Sequence, residues 1–357
     1  DMMLGQRKFA MFGIDVEYRN ERKRKGHDIL SEYVYSSRDA FIQTVIDNMR
    51  GIDYLETRDE IDTGRIGMMG LSMGTFIGSV VFSLDERIRV AAFGVGGGNW
   101  KKVGEKSFFG PLFMLKGSGR SIEDIFGAFS VVDPVNHVAN TKGRPKIMIN
   151  GRLDELVPAE SAVALYDAFA EPKHLIWFDG GHVPAMDIIM ELVYEMFDFF
   201  QDNLKPKRFH RVPPSKNTAP LIKGLRIEPR QVHQNETVSI RVRAKDRERN
   251  TFFVKAYFDS GNDISLLYDD GRKGGDEEKH DTYYNGRHRI YEKAELGKSL
   301  VRVVAVDRWG ETSDELTAEI EVLPIRYPEG AHAPEITKTL VPEKVRIGDK
   351  VHFEVHA

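Results

Sequence analysis

Apolar positions in the first two hundred residues follow two alternating patterns. Short β-rich runs occur at Phe9–Tyr18, Arg65–Leu71, Val90–Val95, Lys146–Asn150 and His174–Phe178. Between the first two, a helix-start signal at Ser36-Ser37-Arg38-Asp39 precedes Phe41, Val45, Ile52 and Leu55 at helical spacing. After the last run, Met186, Ile189, Met190, Val193, Phe197 and Phe200 form a second helical stripe, read as a core-facing surface. Strands separated by helices in this way build a parallel sheet covered on its faces.

The pattern changes at Lys205-Pro206-Lys207 and Val212-Pro213-Pro214-Ser215, where proline removes backbone donors and favours extended chain. Beyond it the helical period is lost. Val238–Ala244 and Leu300–Val306 alternate apolar and polar residues, and with Phe252–Tyr257 and Thr317–Leu323 they predict an antiparallel β-sandwich. Pro229, Val232, Val238, Val242 and Ala244 recur as Pro342, Val345, Val351, Val355 and Ala357, each pair 113 residues apart. That spacing is about one sandwich domain. The expected organisation is a catalytic region over 1–205, a linker over 206–218, a sandwich over 219–326 and the opening strands of a second copy over 333–357, which makes the chain a fragment at its C-terminal end.

Bulk properties narrow the function. A chain of 357 residues is too long for one ordinary core. Its 51 Lys+Arg and 55 Asp+Glu leave a net charge of -4, a poor match for a nucleic-acid binder, and the run Arg22–Lys25 reads as a solvated loop. No apolar stretch approaches the ~20 residues that span a bilayer, and residue 1 opens no signal sequence. The absence of cysteine excludes disulfides, a thiolate nucleophile and cysteine-ligated zinc.

Candidate chemistry centres on Gly70-Leu71-Ser72-Met73-Gly74, which follows the strand at 65–71 and precedes a helical run containing Phe76, Val80, Val81 and Leu84. A sharp turn from strand to helix is the context of the nucleophile elbow, which lifts a serine hydroxyl above the sheet beside a helix N-terminus. Serine needs an imidazole to take its proton, and the imidazole needs a carboxylate to hold its tautomer. Asp154 in Asn150–Pro158 and His182 in Phe178–His182 each follow a predicted strand, in the order serine, acid, histidine. All three fall on loops at strand C-termini and can converge there. Asp179 is the rival acid, three residues before His182, and Glu155 is expected to point away from the imidazole.

These residues carry a family resemblance. Ile52–Leu55, Glu60–Asp62, Arg65–Gly67, Gly70–Gly74 and Leu84–Ile88, continued by Asp133-Pro134, Lys142–Pro145 and the Asp154 and His182 loops, resemble α/β-hydrolases of the dienelactone-hydrolase and acetyl-xylan-esterase type over residues 1 to 203. The resemblance implies an α/β-hydrolase fold, a parallel sheet with flanking helices that lacks its N-terminal strands, followed by an all-β immunoglobulin-like sandwich. It implies Ser72 as nucleophile, His182 as base, Asp154 as acid and the Met73 amide as an oxyanion-hole donor. About five parallel strands are expected, beginning near Phe9, with the second oxyanion amide outside the chain. Serine where dienelactone hydrolases carry cysteine points to an ordinary serine esterase, acting on small-molecule or polysaccharide-linked esters without a cofactor.

Downstream, Leu267–Gly271, Gly275-Asp276 and Asp281–Tyr283 resemble an acidic loop of bacterial immunoglobulin-like or fibronectin-III-like modules. Asp269, Asp270, Asp276 and Asp281 offer oxygen ligands suited to calcium. A hydrogen-bonded turn accounts for them equally and is preferred, so no metal site is assigned. The sandwich modules are expected to position the enzyme or to bind a cell-surface partner or polysaccharide, and the setting expected is extracytoplasmic and bacterial. Two other functions fit the residues: a prolyl-oligopeptidase-like peptidase, and a binding or adhesion protein whose hydrolase domain is inactive. The apolar stretch Ser107–Leu115 fits a roof over an acyl pocket or a buried connection.

Overall fold

The computed structural model of the chain describes residues 9–107, 120–184, 186–204, 216–259, 263–326, 338–340 and 354–356. Four parallel strands, β1 (Ile66–Leu71), β2 (Ile88–Gly94), β3 (Lys146–Gly151) and β4 (Lys173–Phe178), lie side by side in chain order. The helices connecting and flanking them are α1 (Val34–Glu56), α2 (Met73–Leu84), α3 (Trp100–Lys106), α4 (Ile122–Phe129), α5 (Ala159–Ala168) and α6 (Met186–Leu204).

The strands are mostly apolar because both faces are covered. In β2, Ala91 and Phe93 join one core with Phe41, Phe76, Phe82, Leu165 and Phe169. The alternate residues Val90 and Ala92 face the other core, with Ile147 and Ile149 of β3 and Met196, Phe200 and Leu204 of α6. Full burial of each large side chain contributes roughly 1.5–3 kcal/mol, so this two-sided core sets the register, for example Phe93 opposite Met148 and Met148 opposite Leu175.

Two expectations are corrected. Phe9–Tyr18 is not a strand, and the sheet has four described strands rather than five. A strand needs a ladder partner, whereas here the apolar residues pack against helices: Phe9 meets Phe197 and Phe200 of α6, and Phe12 stacks on Tyr54 of α1. Helix α1 also starts at Val34, ahead of the Ser36-Ser37 signal. The Ser37 hydroxyl faces inward and accepts the Ser31 N–H at 2.9 Å, so it ties the preceding loop to the first turn.

Beyond the proline-rich stretch, which lies outside the described residues, the described residues form β-strands and no α-helix. The strands are β5 (Leu221–Glu228), β6 (Gln231–His233), β7 (Thr237–Lys245), β8 (Thr251–Phe258), β9 (Asp263–Leu267), β10 (Tyr283–Arg289), β11 (Gly297–Asp307) and β12 (Leu316–Leu323). One sheet is ordered β10-β7-β5 and the other β6-β12-β11-β8-β9. The period-two pattern supplies their shared core: Val238, Ile240 and Val242 from β7 meet Val254, Ala256, Val301, Val303, Ile320 and Val322. Two short strands, β13 (Lys338–Leu340) and β14 (Glu354–His356), pair antiparallel. The positions 113 residues earlier lie in β5 and β7, which also pair antiparallel.

The all-β region lies against β4. Lys255 of β8 is fully buried, and its ammonium donates to Glu171 Oε1 at 2.6 Å and to the Lys173 carbonyl at 3.1 Å. The hydroxyls of Tyr166 and Tyr257 are 3.3 Å apart, and the His174 ring lies 5.9 Å from that of Phe253. No helix among the described residues is long and apolar enough to cross a membrane.

Candidate active site

Ser72 occupies the turn between β1 and α2 with φ 52° and ψ −119°. For a residue with a Cβ this conformation costs on the order of 1–3 kcal/mol, so the surroundings must hold it. They do so through the Ser72 N–H donating to Gly94 O at 2.9 Å, the Thr75 N–H donating to Ser72 O at 2.8 Å, and the buried Thr75 hydroxyl within reach of Gly70 O and Gly94 O. A Cβ on Gly70 would stand 2.3 Å from Gly74 O, so the first glycine of the motif is required by close backbone approach. The second is not, since a Cβ on Gly74 meets nothing within 4 Å. Met73 is the first residue of α2, and its N–H has no intrahelical acceptor, as at any helix start.

The structure brings Ser72, His182 and Asp154 into one line of contacts. Ser72 Oγ is 2.8 Å from His182 Nε2, and His182 Nδ1 is 3.0 and 2.9 Å from the two Asp154 oxygens. The Asp154 side chain is fully buried, and its Oδ1 also accepts the backbone N–H groups of Leu156 at 2.9 Å and Val157 at 2.7 Å. Those two bonds make a tight turn leading into α5 and leave Oδ2 facing the imidazole.

The loops carrying acid and histidine are stitched together. Arg152 N–H donates to Phe178 O and Leu153 N–H to Gly180 O, each at 3.0 Å. Glu155 serves the histidine loop through that loop's main chain: its Oε2 accepts the backbone N–H of His182 at 3.1 Å. Hydrogen bonds from its own and the His182 backbone hold the Glu155 carboxyl below the usual range. Asp179 is exposed and lies 3.5 Å from Arg152, away from the imidazole ring. Sequence reading passed over Arg152. It sits two residues before Asp154, stands over the rings of Trp177 and Tyr291 at 5.5 and 4.9 Å, and pairs with Asp263 of β9 as well as Asp179.

A second serine, histidine and aspartate cluster lies in the all-β region. Ser265 Oγ is 2.8 Å from His288 Nδ1, and His288 Nε2 is 3.6 Å from Asp263. Its geometry differs: Ser265 sits within a strand rather than at a helix start, and Asp263 is occupied by Arg152. Burial pushes His288 down to about 3, which disfavours the imidazolium a general base must become.

The acidic loop brings one oxygen each of Asp269, Asp276 and Asp281 within 4.8 Å of one another. Hydrogen bonds inside the loop account for them. Asp269 accepts the N–H groups of Asp281 and Thr282, Asp276 those of Gly271 and the Asn285 amide, and Asp281 that of Tyr283. Asp270 stands apart, capping Arg272 and Lys273. Of the apolar stretch Ser107–Leu115, all but Ser107 lies outside the described residues.

A family model described as the Prolyl oligopeptidase family matches residues 37–207, a little under half the chain and the part that holds all three residues. The parallel sheet with its serine at the β1–α2 turn is an α/β-hydrolase-like fold. Within curated proteins, 97 residues of this chain are 30% identical to the uncharacterized protein YfhR of Escherichia coli K12, covering 26% of this chain and 32% of that protein. The chain thus spans about a third of the curated relative it matches. Among solved structures, acetyl xylan esterase 1 from Thermoanaerobacterium sp. JW/SL YS485 aligns at TM-score 0.40 and 19% identity, covering 49% of this chain and 59% of that one. The acylaminoacyl peptidase of Pyrococcus horikoshii aligns at TM-score 0.40 and 17% identity, covering 52% and 31%.

Proposed function

We propose that the chain is a serine hydrolase that cleaves carboxylic esters through an acyl-Ser72 intermediate. The contact from Ser72 Oγ to His182 Nε2 and from His182 Nδ1 to Asp154 carries this reading. His182 takes the Ser72 proton as Oγ attacks the ester carbonyl. The tetrahedral oxyanion forms beside the start of α2, where the Met73 amide and the helix N-terminus favour negative charge. Collapse expels the alcohol, which takes its proton from His182. A water then repeats the sequence on the acyl-serine, losing its proton to His182 and releasing the acid. Asp154 holds the imidazole with its proton on Nδ1 and stabilises the imidazolium.

Exposed aliphatic side chains support an apolar acyl group. Leu71, Leu153 and Val183 are the immediate chain neighbours of Ser72, Asp154 and His182 and are 50%, 57% and 79% exposed. A peptidase is the second reading, favoured by the family match over residues 37–207. In both, the two facing sheets after residue 216, antiparallel except for the β6–β12 pair, are read as an immunoglobulin-like module.

A fluorophosphonate probe tests the nucleophile, since only an activated serine reacts. Labelling should disappear in Ser72→Ala without loss of folded protein, because one partly buried hydroxyl contributes little packing. Label retained at another serine, Ser265 included, refutes the assignment. Turnover of p-nitrophenyl acetate against peptide p-nitroanilides then separates esterase from peptidase, and a chain that labels but cleaves only the anilides sinks the ester reading.

A further inference from the structure

The acid and base loops of the site are tied to the all-β region through one side chain. Arg152 follows β3 and precedes Asp154 by two residues. Its backbone N–H binds the end of β4, and its guanidinium reaches both Asp179, three residues before His182, and Asp263 at the start of β9. Tyr291, also in the all-β region, and Trp177 of β4 flank the guanidinium on its faces. The Arg152 and Asp263 side chains are 17% and 4% exposed, so this contact is largely shielded from solvent. Asp263 is itself fixed from behind: His288 stacks on Phe258 at 3.8 Å and approaches the second carboxylate oxygen, while Ser265 holds the other side of that ring.

A buried ion pair contributes little net stability, because desolvation offsets the attraction. Burial indeed pushes the Asp263 carboxyl up, with Arg152 opposing. What such a contact supplies is position. The planar guanidinium has donors on several edges, so one residue sets the spacing between the loop carrying Asp154 and the loop carrying His182, with Asp263 as its anchor.

We infer that Asp263 of the all-β region is a positioning residue for the hydrolase site, acting through Arg152 to hold Asp154 and His182 in line with Ser72. The inference rests on the proposed serine-hydrolase chemistry and makes the second region part of the active site rather than an appended module. Arg152 and Asp263 touch no reacting atom. Their loss is therefore expected in the rate of reaction at Ser72 and much less in substrate binding, since displacement of catalytic groups by about an ångström costs up to about 100-fold.

The test uses the full chain and two readouts: the first-order rate constant of fluorophosphonate labelling, and kcat and KM for p-nitrophenyl acetate. The labelling rate constant belongs to the folded population and does not depend on how much of a preparation is folded. Asp263→Asn should slow labelling and lower kcat between about tenfold and 100-fold with KM within about threefold. Arg152→Gln should match it, and Arg152→Lys, which keeps the charge toward Asp263 but cannot bridge to Asp179, should recover part of the rate. Glu171→Gln is the control. It breaks the contact with Lys255 in the same interface but away from both loops, and should leave the labelling rate unchanged even if the melting midpoint falls.

An unaltered labelling rate in Asp263→Asn overturns the inference and leaves the hydrolase reading intact. Equal slowing in Glu171→Gln also overturns it, since general docking of the two regions would then be what matters. An unaltered chain that does not label at Ser72 removes the hydrolase reading and the inference with it.

Discussion

Replacing Asp154 by asparagine isolates the tautomer from the fold. Asp154 Oδ1 accepts two backbone N–H groups, from Leu156 at 2.9 Å and Val157 at 2.7 Å. An asparagine must therefore keep its oxygen there and turn its NH₂ toward His182 Nδ1. The imidazole then accepts at Nδ1 and carries its proton on Nε2, the atom 2.8 Å from Ser72 Oγ. A protonated Nε2 cannot take the serine proton. In a serine, histidine and aspartate site this change costs about 10⁴-fold in turnover, roughly 5 kcal/mol of barrier. Both backbone bonds and the side-chain volume survive, so stability should change by less than about 1 kcal/mol. Asp179→Asn removes an exposed carboxylate 3.5 Å from Arg152, a contact worth about 0–1 kcal/mol, and should lower kcat by no more than a few-fold. Turnover of p-nitrophenyl acetate by the two variants, with circular dichroism melts alongside, decides. If Asp154→Asn keeps more than about a tenth of the wild-type kcat, or if Asp179→Asn is the slower enzyme, the tautomer argument fails.

Gly70→Ala should lower stability, read from thermal melts, by about 1–3 kcal/mol through overpacking, because its Cβ meets Gly74 O, whereas Gly74→Ala should cost nothing measurable. Equal losses would refute the close-approach argument. Burial lowers His174 and His288 to about 3, against ~6.5 in an unfolded chain, so the unfolded state binds more protons between those values. Stability should be complete above about pH 6.5 and fall as pH drops toward about 3. His174→Phe should flatten that acid limb in melts recorded across pH, and an unchanged limb would contradict the assignment. Residues 216–326 produced alone should give an all-β circular dichroism spectrum, and substantial helix would count against an independent second core.

The strands β1 to β4 were legible within one or two residues because each is apolar on both faces, and a two-sided core leaves that mark locally. Phe9–Tyr18 carries the same mark but packs its rings on α1 and α6. An apolar run says that it is buried and not that a ladder partner exists. Ser72, Asp154 and His182 stood out because turn context and chain order are local properties, and the structure brings them into contact. Arg152 was passed over, and Glu155 was weighed only as a carboxylate beside Asp154. Their meaning comes from Asp263, 111 residues along the chain, and from the His182 backbone, 27 residues along. No short-range pattern encodes either. Strands β5, β6, β9 and β10 escaped notice for a related reason. Tyr283–Arg289 is largely polar, and its register is set by seven pairings with β7 rather than by its own alternation.

The all-β region also answers a problem that a parallel sheet creates for itself. The outer edge of β4 presents backbone groups that would template another strand. At Lys173 the carbonyl is satisfied by the Lys255 ammonium reaching in from β8, so a side chain stands where a ladder donor would. The same ammonium binds Glu171 and lies near the Tyr166 hydroxyl, while the His174 ring rests on Phe253. Burying an ammonium completely is costly unless it is paired and hydrogen-bonded, and Lys255 is both. Its hydrogen-bond partners all come from the region of the parallel sheet, so the cost is met only when the two regions are docked. Separation is correspondingly asymmetric. The all-β region alone would return Lys255 to water and keep its own core, whereas the hydrolase region alone would bare the β4 edge, Glu171 and His174. Stability of the sheet and alignment of the acid and histidine loops therefore depend on the same face, through Lys255 at one end and Arg152 at the other.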